Sequence, residues 1–431
     1  MKAAVLKMLR IPGIRVPLIL WAALWFNLNS GPWLLAHANG IWILPVFMRV
    51  YAPTGVLLAS LFALRAKKAA GKGMSPTLLL AFYGIVATVA GAQSPDPSWA
   101  TYWSVAFLAS IAVCRLVLAA RSPQVATVFL WATWLATLIV TIGIIRAGGH
   151  AVWAGGSESY NIEKHIDVIS SGVSRWGAVC ALVALSLCVQ IRSPLPRLAL
   201  LAVTATGFVV VYNMQSRGSV FGTVAGVLFL LLFERRTRRW AIPFVLVAAL
   251  AMWFYDSWHE VTGSVMTYLE RGGGEQSLRT MTGRTEIWDE GWQVFLEDPL
   301  LGRGQWTDRL LNLGHVHNTV LQALLNGGII GFVPYLLSWI AGWYQFFRVW
   351  KRRAFLSRID RISLLQCGAV LAFFTTRAIP ETTTASYSPD LLMMLAIFTF
   401  LEGSAARVRV PAPVPYVLVV RQSPSEASVP A

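Results

Sequence analysis

Apolar runs broken by short polar connections recur along the whole chain. They fall at approximately 17–35, 41–64, 77–92, 102–119, 124–145, 174–191, 197–213, 218–233, 240–257, 319–347, 362–379 and 389–404. A hydrocarbon core about 30 Å thick is crossed by about 20 apolar residues in a helix, and a helix satisfies its own backbone where no water is present. The pattern therefore predicts an all-α polytopic membrane protein with about 12 transmembrane helices. Three connections are long or polar enough to break the rhythm: 146–173, 258–318 and 377–388. Within the longest, "TEIWDEGWQVFLED" sets Ile287, Trp288, Trp292 and Phe295 at helical spacing, and "DPLLGRG" then interrupts it. That piece is expected to form one or two short helices lying on the membrane surface.

Composition agrees with this pattern. Of 431 residues, 56% are hydrophobic and 13% charged, against about 25% charged in an average soluble domain. No soluble domain stands out. The expected organisation is one transmembrane domain over 1–404, with scaffold spans over 1–145, a catalytic half over about 174–404 that includes the external loop 258–318, and a disordered cytoplasmic tail over 405–431.

Charge adds orientation. Lys and Arg crowd into alternate connections, as in "KMLRIPGIR", "RAKKAAGKG", "ERRTRRW" and "RVWKRRAFLSRIDR". The positive-inside rule makes those faces, and both termini, cytoplasmic. The formal charge of +16 then reflects membrane orientation, which argues against a nucleic-acid partner. All four cysteines fall inside spans, so the outer loops hold no disulfide framework and no cysteine metal site.

On the expected outer face, groups that bind anions accumulate: Arg217 in "NMQSRGS", Arg284 in "TGRTEIW", Arg303 in "LLGRG", and Arg377 beside Glu381 in "TRAIPETTT". An arginine fork matches phosphate oxygens two at a time and stays charged; taken singly, most of these arginines are better explained by a solvated, salt-bridged loop, and Arg217 equally well by snorkelling at the interface. "HVHNT" places His315, His317 and Asn318 at the N-terminal end of an apolar run, where the helix dipole favours negative charge. Positions two apart do not share a helix face, and no Cys or carboxylate lies within a few residues of the pair, so one working histidine is favoured over a metal pair.

The combination of "QSRGS", "TGRTEIW" followed by "DPLLGRG", and "HNTVLQALLNGGIIG" resembles the O-antigen ligase and O-antigen or exopolysaccharide polymerase family of bacterial membrane proteins, over roughly residues 200 to 345. The resemblance implies transfer of a glycan from an undecaprenyl diphosphate donor to a sugar hydroxyl of a glycan or lipid-linked acceptor. It implies an inner-membrane location, a periplasmic site, and no cofactor or metal. Motif by motif, it implies catalytic roles for Arg217, Arg284 and His317. Substrate contacts are expected from Arg377, Glu381, Arg303, His315 and Asn318, although His315 has no firm counterpart and Glu381 matches only a loosely defined element. "TMTGRTEIWDEGW" leans towards a polymerase, which would bring a chain-length regulator as a partner; a ligase acting on the lipid A core is the alternative. A flippase for the same lipid-linked sugars is the competing class, and would place ionisable groups near the membrane midplane, where only Arg49 and Arg115 fall.

Overall fold

The structure, a computed structural model, describes residues 11–29, 43–65, 74–120, 122, 124–148, 160–162, 166–168, 170–234, 237, 284–311, 313 and 315–408. The helices are α1 (Arg15–Asn29), α2 (Ile43–Arg65), α3 (Pro76–Ala90), α4 (Pro97–Leu118), α5 (Gln124–Gly148), α6 (Ser170–Gln190), α7 (Pro194–Asn213), α8 (Arg217–Phe233), α9 (Arg284–Glu297), α10 (Thr307–Leu310), α11 (Thr319–Lys351), α12 (Arg358–Arg377) and α13 (Pro389–Arg407). The all-α expectation holds apart from one antiparallel hairpin, β1 (Tyr160–Ile162) with β2 (Ile166–Val168). Among the described residues, eight helices are long and apolar enough to cross a membrane, and three apolar helices are shorter. These coincide one for one with the expected segments except the ninth, 240–257, which lies outside the described residues. The same is true of the first part of the expected external loop, 258–283, and of the tail from 409.

Local sequence sets where several helices begin. Ser75, Asp96 and Ser388 each precede a proline, and each side chain accepts the backbone N–H three residues on, from Leu78, Trp99 and Leu391. Ser357 caps α12 in the same way, through Asp360 N–H. A capping oxygen followed by a proline with φ already helical is a strong start signal.

The centre of the bundle is α13. Every side chain from Asp390 to Leu401 is fully buried, as expected of a helix that is apolar all round. By contrast, α7 turns Leu195, Leu198 and Tyr212 outward, which suits a helix bordering lipid. It is held against α6 by backbone proximity: a Cβ built on Gly207 would stand 2.5 Å from the Gly177 carbonyl oxygen. Small residues at such crossings let helices approach closely where lipid removes the hydrophobic incentive to associate.

Charged side chains at the end of α13 remote from Asp390 are paired. Glu402 accepts from Thr77 N–H (2.9 Å), Thr77 Oγ1 (2.8 Å) and Ser75 Oγ (2.8 Å) and lies 3.5 Å from Arg115. Arg407 binds Asp360 at 2.8 Å. Arg115 thus ties α4 to α13 instead of standing alone in an apolar span.

The expected span 319–347 is interrupted. Gly328 in α11 has φ 55°, and the segment 299–304 is fitted into the break. Arg303 and Gly304 donate their N–H groups to the Leu325 and Asn326 carbonyls (2.8 and 3.0 Å). Ile329 and Ile330 donate to the Pro299 and Leu300 carbonyls (2.9 and 3.1 Å). Each segment supplies the hydrogen bonds the other has lost, as non-helical backbone at membrane depth requires. Any side chain at 328 is excluded, because its Cβ would meet the Leu300 carbonyl oxygen at 2.2 Å. "PLLGRG" and "NGG" are therefore two halves of one joint.

Candidate active site

Five chain segments converge at one end of the bundle: the α7–α8 turn, the start of α9, residues 315–318 ahead of α11, the end of α12, and the loop 378–388. Their common anchor is Glu381. Its Oε2 is 2.9 Å from His317 Nδ1, and its Oε1 accepts from Arg284 Nη2 at 3.0 Å. Arg284 Nη1 also donates to the Pro380 carbonyl. The loop that carries Glu381 is joined to the start of α11. Thr319 N–H donates to the Ala378 carbonyl (3.1 Å), Thr319 Oγ1 to the Glu381 carbonyl (2.7 Å), and Thr383 N–H to Thr319 Oγ1 (3.0 Å).

The glycine of "SRG" explains how Arg217 reaches this centre. A Cβ on Gly218 would lie 3.1 Å from both Glu381 Cγ and Pro380 Cγ, so a side chain there would push the α8 start off the loop. Arg217, half-buried at the first position of α8, sits within electrostatic reach of Arg284. The turn before it contains Gln215 at φ 47°, and His317 itself has φ 45°. Left-handed backbone costs a non-glycine residue of order 1–3 kcal/mol and persists only where surrounding contacts over-determine it. For His317 those contacts are the bond to Glu381 and the Trp288 Nε1 donation to the neighbouring Val316 carbonyl at 2.6 Å. That tryptophan lies on α9, whose apolar face (Phe295 with Ile287 and Val294) packs on Val316, Leu321 and Leu325. The expected surface helix is thus a buttress for the histidine segment.

Protonation follows from these contacts. Burial pushes the His317 imidazole below its ordinary value, and the Glu381 bond only partly offsets this. Burial would raise Glu381, but the His317 hydrogen bond and the positive charges of Arg377 and Arg284 outweigh it and hold the carboxyl well below the usual range. The state that follows at neutral pH is an ionised Glu381 accepting from Nδ1–H of a neutral His317. His317 Nε2 is then a proton acceptor, on a side chain that remains 25% exposed.

Not all the expected contact residues face open space. Arg377 is fully buried, binding Asp390 at 2.8 Å and the Ser171 carbonyl at 3.2 Å. Glu381 is buried too, with both oxygens committed. Asn318 Oδ1 caps α11 by accepting from Leu321 N–H at 3.0 Å. Arg303 spends its fork on Asp298 (2.5 Å) and Glu297 (2.7 Å). Each of these four side chains is thus bonded within the protein.

Other members were hidden from the sequence. The His pair has a carboxylate for each ring: His315 Nδ1 lies 3.3 Å from Asp308 Oδ2, and the two imidazole centroids are 4.3 Å apart. Burial would raise Asp308, but its bond to His315 and nearby positive charge keep it below its ordinary value. Gln322 donates to Asp308 Oδ1 (3.1 Å) and to Asn326 Oδ1 (2.9 Å), and Asn326 in turn donates to Tyr83 and Gln305 (3.2 and 3.3 Å). Behind Glu381, Arg175 of α6 approaches Asp390 at 3.1 Å. The only sequence signal for Asp308 is an acidic residue seven positions before His315, a spacing with no fixed geometry in a loop.

An α-helical membrane protein with a buried carboxylate joining a histidine and an arginine at one end of its bundle is the class these observations define. Residues 200–336 match the family model described as O-Antigen ligase, so the chain carries an O-antigen ligase family domain and the motif resemblance is borne out. That match implies glycan transfer of the O-antigen ligase type and lipid-linked glycans as substrates. No curated protein matches the sequence. Arg217, Arg284 and His317 fall inside the matched segment, whereas Glu381, which joins two of them, falls outside it.

Proposed function

We propose that this protein is a glycosyltransferase that moves a glycan from an undecaprenyl diphosphate donor to an acceptor sugar hydroxyl, without a metal or nucleotide sugar. The observation that carries the reading is the single carboxylate of Glu381 holding both His317 and Arg284. His317 Nε2 takes the proton of the acceptor hydroxyl as the oxygen attacks the anomeric carbon, and the glycosidic C–O bond to the diphosphate breaks. A positioned base of this kind contributes roughly 10² to 10⁴ in rate. Arg217 and Arg284 stabilise the charge arriving on the departing diphosphate, an effect of order 3 kcal/mol per contact. Direct displacement inverts the anomeric centre. Glu381, Arg377 and Asn318 act as positioning residues in this scheme: Glu381 fixes the Nδ1–H tautomer, Arg377 keeps Glu381 ionised, and Asn318 starts α11.

The site faces the periplasm in this reading, with twelve spans, both termini cytoplasmic, and residence in a bacterial inner membrane; the basic connections support it. A donor that carries its own leaving group suits a compartment without nucleotide sugars. Polymerisation of exopolysaccharide or O-antigen repeats is the leading reaction, assisted by a chain-length regulator, on the "TMTGRTEIWDEGW" pattern. Ligation of finished polymer to the lipid A core is the second reading, favoured by the description of the matching family model. Deleting the gene and examining lipid-linked glycans decides between them: single repeat units on the carrier mean a polymerase, long unligated chains a ligase. Unchanged glycans would overturn both.

A further inference from the structure

The geometry points to a glycan-binding shelf beside the active site, formed by the first turns of α4 and by α10, which grips sugar rings of the substrate beyond the reacting one. This rests on the transferase reading above and deepens it. At the start of α4, Trp99 and Tyr102 are stacked with ring centroids 5.5 Å apart at 21°. Trp103 of the same helix stacks on Trp306, centroids 4.1 Å apart at 12°. Arg309 lies over the same Trp306 ring, with Cζ 3.9 Å from the centroid. Trp306 is held at φ 68°, the left-handed region, directly before α10.

Two features mark this surface as a binding face instead of packing alone. Trp99 is 44% exposed although it belongs to an aromatic cluster, and the guanidinium of the exposed Arg309, whose charge acts on neighbouring Asp308, makes no hydrogen bond or salt bridge among the described residues. Its guanidinium is positioned by the ring beneath it, which limits the side-chain entropy lost on engaging a ligand. The Asp96 carboxylate, capping α4 next to Trp99, adds exposed acceptors. A pyranose ring presents C–H groups on its faces and hydroxyls at its rim. Aromatic faces, a fork of N–H donors and a carboxylate complement that pattern.

Continuity with the active site supplies the occupant. Trp306 and Arg309 flank Asp308, whose carboxylate binds His315, and the His315 ring centroid is 4.3 Å from that of His317. The α3–α4 turn is packed against the same loop, since a Cβ on Gly304 would stand 2.5 Å from Gly91 Cα. A glycan whose reacting sugar lies at His317 therefore has the shelf as its next support.

The test uses the full-length His317→Ala protein in detergent and, as probe, the lipid-free oligosaccharide released by mild acid from the producing cell's own polysaccharide. Calorimetric affinity should fall about fivefold to tenfold in Trp99→Ala and again in Arg309→Gln, the size of one aromatic contact. With His317 intact, the same two substitutions should raise KM for long glycans severalfold and leave kcat unchanged. Equal affinity in parent and variants overturns the shelf, as does a parent that does not bind the probe. If Trp99→Ala lowers only the thermal midpoint in nanodiscs, the ring is an interfacial membrane anchor and the shelf is again overturned. Absence of transfer by the wild type, with shelf-dependent binding intact, overturns the transferase reading alone.

Discussion

His317 Nδ1 and Glu381 Oε2 are 2.9 Å apart although 64 positions separate them in the chain. The carboxylate fixes which ring nitrogen carries the proton. Glu381→Gln presents an amide that binds Arg284 poorly and can turn an N–H towards Nδ1, favouring the wrong tautomer. Transfer should fall about 10² to 10⁴-fold, measured as initial rate of glycan transfer with purified protein. Insertion and expression should match the wild type. A Glu381→Gln protein within a few-fold of wild-type rate would remove Glu381 from the mechanism.

The same pair dictates a pH profile. Burial lowers the His317 pKa below the ordinary 6.5, so the base is neutral and competent at pH 7. The rate should be flat above about pH 6.5 and fall only at lower pH, as the imidazole takes a proton. Glu381 raises the His317 pKa, so removing its charge moves the acid limb further down. Glu381→Gln should therefore show a lower plateau together with an acid limb shifted to lower pH. A limb that moves upward would mean that the titrating group is not His317.

Much of the bundle was legible because lipid imposes a simple rule: apolar runs of sufficient length become helices. The motif-bearing residues Arg217, Arg284 and His317 were legible because each stands beside a glycine or a cap that gives the local backbone away. The partners were not legible. Glu381, Asp308, Asp390 and Arg175 come from segments whose spacing in sequence says nothing about distance in space. Nor did the sequence show that "PLLGRG" fills a break in α11, because a segment that completes another segment's hydrogen bonds carries no periodicity of its own. The bonds that Arg303, Arg377 and Asn318 make within the protein were hidden for a related reason. A sequence displays a side chain's chemistry but not whether a neighbour has already used it.

That joint yields a stability prediction. Gly328→Ala forces a Cβ to within 2.2 Å of the Leu300 carbonyl oxygen at a backbone φ of 55°. Backbone, not a flexible side chain, would have to move, so the loss should exceed about 1 kcal/mol. The thermal midpoint in detergent should drop well below that of the wild type, and transfer should fall with it because 299–304 leads into Asp308. Gly55→Ala, with nothing within 4 Å of the new Cβ, is the matched control and should melt like the wild type.

The two arginines should respond differently to substitution. Arg217 lies half-buried at the first position of α8, and Arg217→Ala should cost about a hundredfold in kcat, the size expected for one contact to the departing diphosphate. Arg284 also ties α9 to Pro380 and Glu381, so Arg284→Ala should lose comparable activity and lower the thermal midpoint as well. Arg284→Lys keeps charge but not the two-pronged contact, and should rescue less activity than Arg217→Lys. Equal rescue by lysine at both positions would mean that Arg284 contributes charge alone.

The histidine pair can be separated by comparing His315 with its carboxylate. Among the described residues, the partly exposed His315 side chain makes one hydrogen bond, to Asp308, whereas Asp308 also receives Val316 N–H at 3.4 Å and Gln322 at 3.1 Å. His315→Ala therefore removes one arm of a network and should reduce transfer only a few-fold, while His317→Ala abolishes it. Asp308→Ala leaves a buried glutamine donor unpaired, at a cost of about 1–3 kcal/mol, and loosens the segment that holds His317 in its left-handed conformation. It should lower both melting temperature and rate more than His315→Ala does. Adding a chelator should change neither variant, because both ring Nδ1 atoms are engaged by carboxylates from different segments and the base acts through Nε2. Activity lost to a chelator and restored by zinc would instead make the pair a metal site and reassign His315 from neighbour to ligand.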